Sequence, residues 1–150
     1  LYEESPQHVA GLVINKPTRT KLQKIFQVKG FKTINISDLV YSGGPVNQGN
    51  IIMMHTNEWK CKNTLPLANG ISITSDPQML KKMHDQDQPQ AWRVFSGLSI
   101  WSPGQLEGEI NSKCWMTAIP TPELSLETPT TQIYEKAIEI CSKQIIDKYI

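Results

Sequence analysis

The sequence predicts an α+β domain built on a mainly antiparallel, barrel-like sheet flanked by helices. Three observations carry that expectation. Short apolar runs of strand length recur along the chain, separated by loops rich in glycine, proline and polar residues. Helical patterns fall between them without the regular strand–helix alternation that a parallel sheet requires. The length of 150 residues, with 39% hydrophobic and 19% charged, suits one soluble domain with its own core.

The elements follow in order. Val9 to Asn15 is a short apolar run stopped by Pro17, which suits a buried strand. Thr18 to Phe26 reads as a short helix, with Thr18 as its N-cap and Leu22, Ile25 and Phe26 on one face. Leu39–Tyr41 and Asn50–His55 read as strands on either side of Ser42-Gly43-Gly44-Pro45. Gly70–Thr74, Ala91–Gly97 and Cys114–Ile119 are further strands, and 84–90 and 120–127 are polar loops. Asp76-Pro77, Ser102-Pro103 and Thr128-Pro129 each place a capping oxygen before a proline, which has no N–H to leave unpaired at the first helical position. Ser102 with Gln105 also fits a capping box. In the last helix Tyr134, Ala137, Ile138, Cys141, Ile145 and Tyr149 form one stripe, read as core packing, while Glu135, Glu139, Lys143 and Asp147 take another face.

Charge marks out no partner globally, since 15 basic residues face 14 acidic ones. The distribution is uneven, with eight basic and four acidic side chains in residues 1–75 and seven and ten in residues 76–150. Lys16, Arg19, Lys21, Lys24, Lys29 and Lys32 form a run without an acid, read first as a solvated face and second as a phosphate contact. No run approaches the roughly 20 apolar residues of a membrane helix, so no membrane partner is expected. Cys61, Cys114 and Cys141 are odd in number and widely spaced, which favours buried, inert thiols in a reducing cytoplasm over disulfides or zinc.

Catalytic devices are scarce. His8, His55 and His84 have no second ligand at metal spacing, and no phosphate-binding glycine motif is present, so no metal or cofactor is expected. Gly97-Leu98-Ser99-Ile100-Trp101 fails as a nucleophile elbow, because Trp101 stands where a glycine is needed and no histidine follows His84. The N–H groups of Gly43 and Gly44 could form an anion-binding nest, although a tight turn is the simpler reading. A helix start at Trp101–Glu109 could likewise receive an anion beside an indole, with structural capping the simpler alternative.

These motifs resemble, in order, those of the AlgH/YqgE family of bacterial proteins. They are Gly11-Leu12-Val13-Ile14-Asn15-Lys16-Pro17-Thr18, Val40–Val46, Met54-His55, Ile73–Asp76, Gly97–Glu109 with its Pro-Gly-Gln-Leu-Glu core, and Trp115 with Pro120. Where the family has Gly-Tyr-Ala-Gly-Trp, this chain has Gly97-Leu98-Ser99-Ile100-Trp101, so an aromatic and a glycine are lost beside the pocket. The resemblance implies one AlgH-like domain over residues 1–150 in a bacterial cytoplasmic protein, lacking an N-terminal helix and most of a first strand that relatives carry. It implies no established activity. The family name refers to regulation of exopolysaccharide production, and some members carry a transcriptional-regulator label.

The leading expectation is a non-enzymatic binding or regulatory module that contacts a protein or a small anionic ligand, without direct DNA reading. Its site would join Asn15, Lys16, Ser42, Gly43, Gly44 and His55 with Trp101, Gly104, Gln105 and Glu107. The alternatives are an enzyme for a small anionic substrate, using His55 or Glu107 as general base, and a weak nucleic-acid binder using the Lys16–Lys32 face.

Overall fold

The computed structural model describes residues 1–32 and 35–149. Eight strands form one mixed sheet: β1 (Glu3–Glu4), β2 (Val9–Gly11), β3 (Pro17–Lys21), β4 (Leu39–Ser42), β5 (Val46–Thr56), β6 (Leu65–Pro66), β7 (Ile71–Thr74) and β8 (Trp92–Trp101). Four helices accompany them: α1 (Leu22–Val28), α2 (Gln78–His84), α3 (Gln105–Asn111) and α4 (Ile133–Tyr149). A single π-helical turn spans Glu123–Glu127. The long strand β8 organises the sheet. β5 runs antiparallel along one side of it, and the short strands β4 and β2 share the other. Among the described residues every pairing is antiparallel except β4 with β8. The mainly antiparallel α+β expectation therefore holds. Among the described residues no ladder joins the outer strands β1 and β6, so the sheet does not close into a barrel.

Strand alternation divides the core between two faces. On one face Met53 and Val94 pack with Leu22 and Phe26 of α1 and with Met79, Leu80 and Met83 of α2. On the other, Ile52, Met54, Ile71, Ile73, Phe95 and Leu98 pack with Ala10 and with Leu126 of the π-helical turn. β8 changes its neighbour from β4 to β2 around Gly97, whose φ of +75° suits a residue without a Cβ.

Several expected elements move. Residues 17–21 form β3 instead of beginning a helix, because β-branched Thr18 and Thr20 alternate with exposed Arg19 and Lys21. The Thr18 hydroxyl donates to the Val40 carbonyl (2.7 Å), and the helix follows at Leu22. Asp76 does cap α2, its Oδ1 accepting the Gln78 N–H at 2.9 Å. At α3 the capping box is half formed, with Gln105 Oε1 accepting the Ser102 N–H at 3.0 Å. The Thr128 hydroxyl donates to the Glu123 carbonyl (2.9 Å), and α4 begins later, at Ile133. Residues 120–127, expected to be a polar loop, bury Leu124, Ser125 and Leu126.

Cys114–Ile119, expected to be a strand, joins no ladder among the described residues, and its Trp115, Met116 and Ile119 are exposed. Cys114 is exposed too, against the expectation of a buried thiol, whereas Cys141 is buried. The stripe on α4 is rotated from its expected role. Ile133 and Cys141 face inward, while Tyr134, Ile138 and Ile145 face solvent. The Tyr149 side chain lies outside the described residues.

Candidate functional site

The loop Ser42-Gly43-Gly44 leaves β4 on one side of β8 and crosses its backbone towards β5 on the other. A Cβ on Gly43 would stand 2.3 Å from the Gly97 carbonyl oxygen and 2.6 Å from Leu12 Cδ2. One on Gly44 would stand 2.3 Å from the Leu98 carbonyl carbon. Two backbones meet closer than any side chain allows, and that closeness fixes glycine at both positions. The Gly43 N–H donates to the Ser96 carbonyl (3.0 Å), and the Gly43 carbonyl accepts the Val13 N–H (2.9 Å). Ser42 N–H likewise donates to the Lys16 carbonyl (2.8 Å). The Gly43 amide is therefore engaged in the fold and is not free to cradle an anion.

His55 is fully buried on the α2 face of the sheet, beside Trp59. Its Nδ1 lies 2.8 Å from the Thr56 carbonyl, so that nitrogen carries the proton. Its Nε2 then accepts from the Thr74 hydroxyl (2.8 Å), which sits 2.7 Å from the Thr64 hydroxyl. Burial pushes the imidazole pKa below its ordinary value, against smaller upward effects of the Thr56 carbonyl and Glu58. Both ring nitrogens are used internally. His55 also faces away from Met54, its neighbour in β5, which lines a groove on the other side of the sheet.

That groove has a volume of about 810 Å³ and a mostly apolar lining. Leu12 and Ile14 form part of one wall, Leu106 and Ile110 of α3 another, and Trp101, Trp115 and Met116 complete it. Its aromatic wall is fixed by one carboxylate. Glu109 Oε2 accepts from both indole N–H groups, of Trp115 at 2.6 Å and Trp101 at 3.1 Å. Glu109 Oε1 accepts from Gln105 Nε2 (3.0 Å), and the two indoles meet edge to face with centroids 6.1 Å apart. The Trp115 donor foremost, then those of Gln105 and Trp101, holds the Glu109 carboxyl below its usual range.

A family model described as AlgH-like matches residues 1–145. The chain belongs to the AlgH-like family. It is 30% identical over 145 residues to a UPF0301 protein of Proteus mirabilis, covering 92% of this chain and 78% of that one. A UPF0301 protein of Polaromonas is 31% identical over 151 residues, covering 95% and 77%. The solution structure of the AlgH protein from Pseudomonas aeruginosa aligns with a TM-score of 0.77 at 24% identity, over 92% of this chain and 75% of that one. A crystal structure from Corynebacterium diphtheriae gives a TM-score of 0.65 at 21% identity, over 85% and 70%. At those identities the two structures show the shared fold.

In this AlgH-like chain the motifs named from the sequence separate into two groups. Of the Trp101–Glu109 segment, Trp101 and Leu106 line the groove. The Gly43 loop stands behind its wall, with the Ser99 hydroxyl, a groove residue, donating to the Gly43 carbonyl at 3.4 Å. Asn15, Lys16, Gly104, Gln105 and Glu107 are exposed, and Gly104 takes φ +76° just before α3. His55 lies on the opposite face of the sheet from the groove.

Two features escaped the sequence reading. Glu109, not Glu107, organises the indoles, and the i, i+4 pairing with Gln105 was the available signal. Arg93 is 7% exposed and pins the approach to α4 by donating to the Thr128 and Ile14 carbonyls, with its guanidinium over the Tyr41 ring at 5.3 Å. A lone arginine inside an apolar strand gave no hint of these partners. The cations from Lys16 to Lys32 are all exposed and make no salt bridge among the described residues. Among the described residues no cluster of metal-ligating side chains occurs, and no helix is long and apolar enough to cross a membrane.

Proposed function

We propose that the protein is a non-enzymatic binding module whose contact surface is the apolar groove beside Trp101 and Trp115. One observation carries this reading. Residues of two of the family-like motifs, Trp101 and Glu109 from one and Trp115 from the other, build a fixed aromatic wall, and that wall borders about 810 Å³ of mostly apolar space. Concave apolar surfaces with a few fixed polar groups are the usual form of a recognition site. A carboxylate already engaged by three donors is poorly placed to act as a base, and His55 sits closed beneath the opposite face. Both facts favour binding over catalysis. A small anionic ligand finds less support than an apolar one, because the Gly43 amide is already bonded and the charged side chain lining the groove, Glu4, is acidic.

The basic face supports a second reading, contact with a nucleic-acid backbone. Six exposed cations, without a salt bridge among the described residues, would bind phosphate with a steep salt dependence. Capture of cellular partners by three forms of the protein separates the two. The groove reading expects the captured species to be lost with Met116→Glu and kept with the double variant Arg19→Glu, Lys24→Glu. The reverse pattern transfers the function to the basic face.

A further inference from the structure

We propose that Thr74 and Thr64 form a reversible hydroxyl relay that lets His55 take up a proton inside the fold. Donation runs inward from Thr64 when the ring is neutral and outward when it is charged. The relay lies on the closed face of the sheet and is independent of the groove.

The direction in the neutral state is forced. A carbonyl oxygen only accepts, so the Thr56 carbonyl, 2.8 Å from Nδ1, keeps a proton on that nitrogen. Nε2 then offers a lone pair, and the Thr74 hydroxyl donates to it across 2.8 Å. With its single proton spent, Thr74 Oγ1 accepts from the Thr64 hydroxyl at 2.7 Å. Thr64 Oγ1 in turn accepts the Cys61 N–H at 2.8 Å. The chain thus leads from a fully buried ring, through a fully buried hydroxyl, to a half-buried one.

A second proton on the ring reverses the order. Nε2–H becomes a donor, and Thr74 Oγ1 becomes its acceptor. Thr74 then turns its own proton towards Thr64 Oγ1, which already receives the Cys61 N–H. Both lone pairs of the Thr64 hydroxyl are filled, and its proton needs a new acceptor. Because Thr64 is half-buried, water can supply one. Only hydroxyl protons rotate, and the backbone stays where it is.

Among the described residues no carboxylate bonds the imidazole, so these hydrogen bonds must support the charged form. Glu58, in the turn after β5, accepts from the Thr56 hydroxyl and the Gln90 N–H, and it raises the proton affinity of the ring less than burial lowers it. Asp76 accepts the Gln78 N–H of α2. Asp87 accepts the Trp59 indole N–H and pairs with Lys82, whose ammonium stands 4.6 Å from the Trp59 ring. The neighbours of His55 across the sheet, Ser72 and Trp92, are uncharged. Without the outlet at Thr64, charging the ring would leave the Thr74 proton buried and unpaired. In the neutral state the same loss leaves that proton bonded to Nε2.

The test follows the His55 ring and the two hydroxyl protons by NMR as the chain is titrated with acid. The ring should charge while the Trp59 indole signal still reports a folded chain. The Thr64 hydroxyl proton should pass into fast exchange with water as the ring charges, and that of Thr74 should stay protected. Thr64→Val should weaken proton binding by His55 about tenfold, because the Thr74 donor loses its acceptor. Thr64→Ser should restore it. Asn63→Ala, which removes the neighbouring bond to Ser75, should leave the titration as it was. An unchanged titration in Thr64→Val, an equal shift in Thr64→Ser, or a Thr64 hydroxyl indifferent to the charge of the ring would overturn the relay. Unfolding of the chain before the ring charges would overturn it as well, since no charged ring then exists inside the fold. If Thr64→Val does not fold, exchange of the two hydroxyl protons in the unaltered chain decides alone.

Discussion

At the scale of single residues the chain uses glycine, histidine and glutamate for packing and positioning. Gly43 shows how a suggestive motif acquires its meaning from neighbours that sequence spacing does not reveal. Two adjacent glycines fit an anion nest and a backbone crossing equally well, and only the position of Gly97 decides between them. A Gly43→Ala substitution is expected to destabilise the fold by about 2–3 kcal/mol, since its methyl meets a backbone carbonyl that cannot move aside. Chemical denaturation would read this as a lower midpoint. His55 offers a pH test. Its folded pKa is depressed, so the stability of the neutral ring is complete above the ordinary imidazole value of about 6.5. It declines as pH falls from there through the folded value, because protonation favours the unfolded chain. In His55→Leu the decline between pH 7 and 5 should be shallower on urea titration. The substitution should also cost about 1–3 kcal/mol at neutral pH, because the Thr74 hydroxyl loses its acceptor.

Among the elements, the sheet and the helix α2 were legible because their signals are local. Apolar runs bounded by turns gave β2, β4, β5, β7 and β8, and the Asp76-Pro77 pair gave the start of α2. What failed depended on distant partners. By sequence Thr18 suits a cap, but the Val40 carbonyl lies within reach once β3 pairs with β4. The stripe on α4 has a regular helical period, yet that period does not tell which side meets the π-helical turn and which meets water. The candidate site was legible in part. Trp101 and Gln105 were identified, whereas their dependence on Glu109 and Trp115 needed α3 to bring residues eight and six apart together. Removing that carboxylate in Glu109→Leu should shift the indole N–H resonances of both Trp101 and Trp115 and leave those of Trp59 and Trp92 in place. The lowered Glu109 pKa gives a matching pH dependence. The indole bonds should persist until the pH drops below the usual carboxylate range near 4.3 and weaken as the carboxyl protonates.

Taken whole, the molecule separates three surfaces. One face of the sheet is closed by α1 and α2 and encloses His55. The opposite side opens into the apolar groove. The exposed cations from Lys16 to Lys32 lie on β3, α1 and the residues flanking them. The near-neutral total charge conceals this run of cations, which the order of charges along the sequence makes legible. Which surface carries the function is decided most directly by hydrogen exchange on the chain with and without a captured partner. The groove reading expects slowed exchange at 12–14, 101 and 114–118, with 16–32 unchanged. Slowed exchange confined to 16–32, with the groove unaffected, would contradict it.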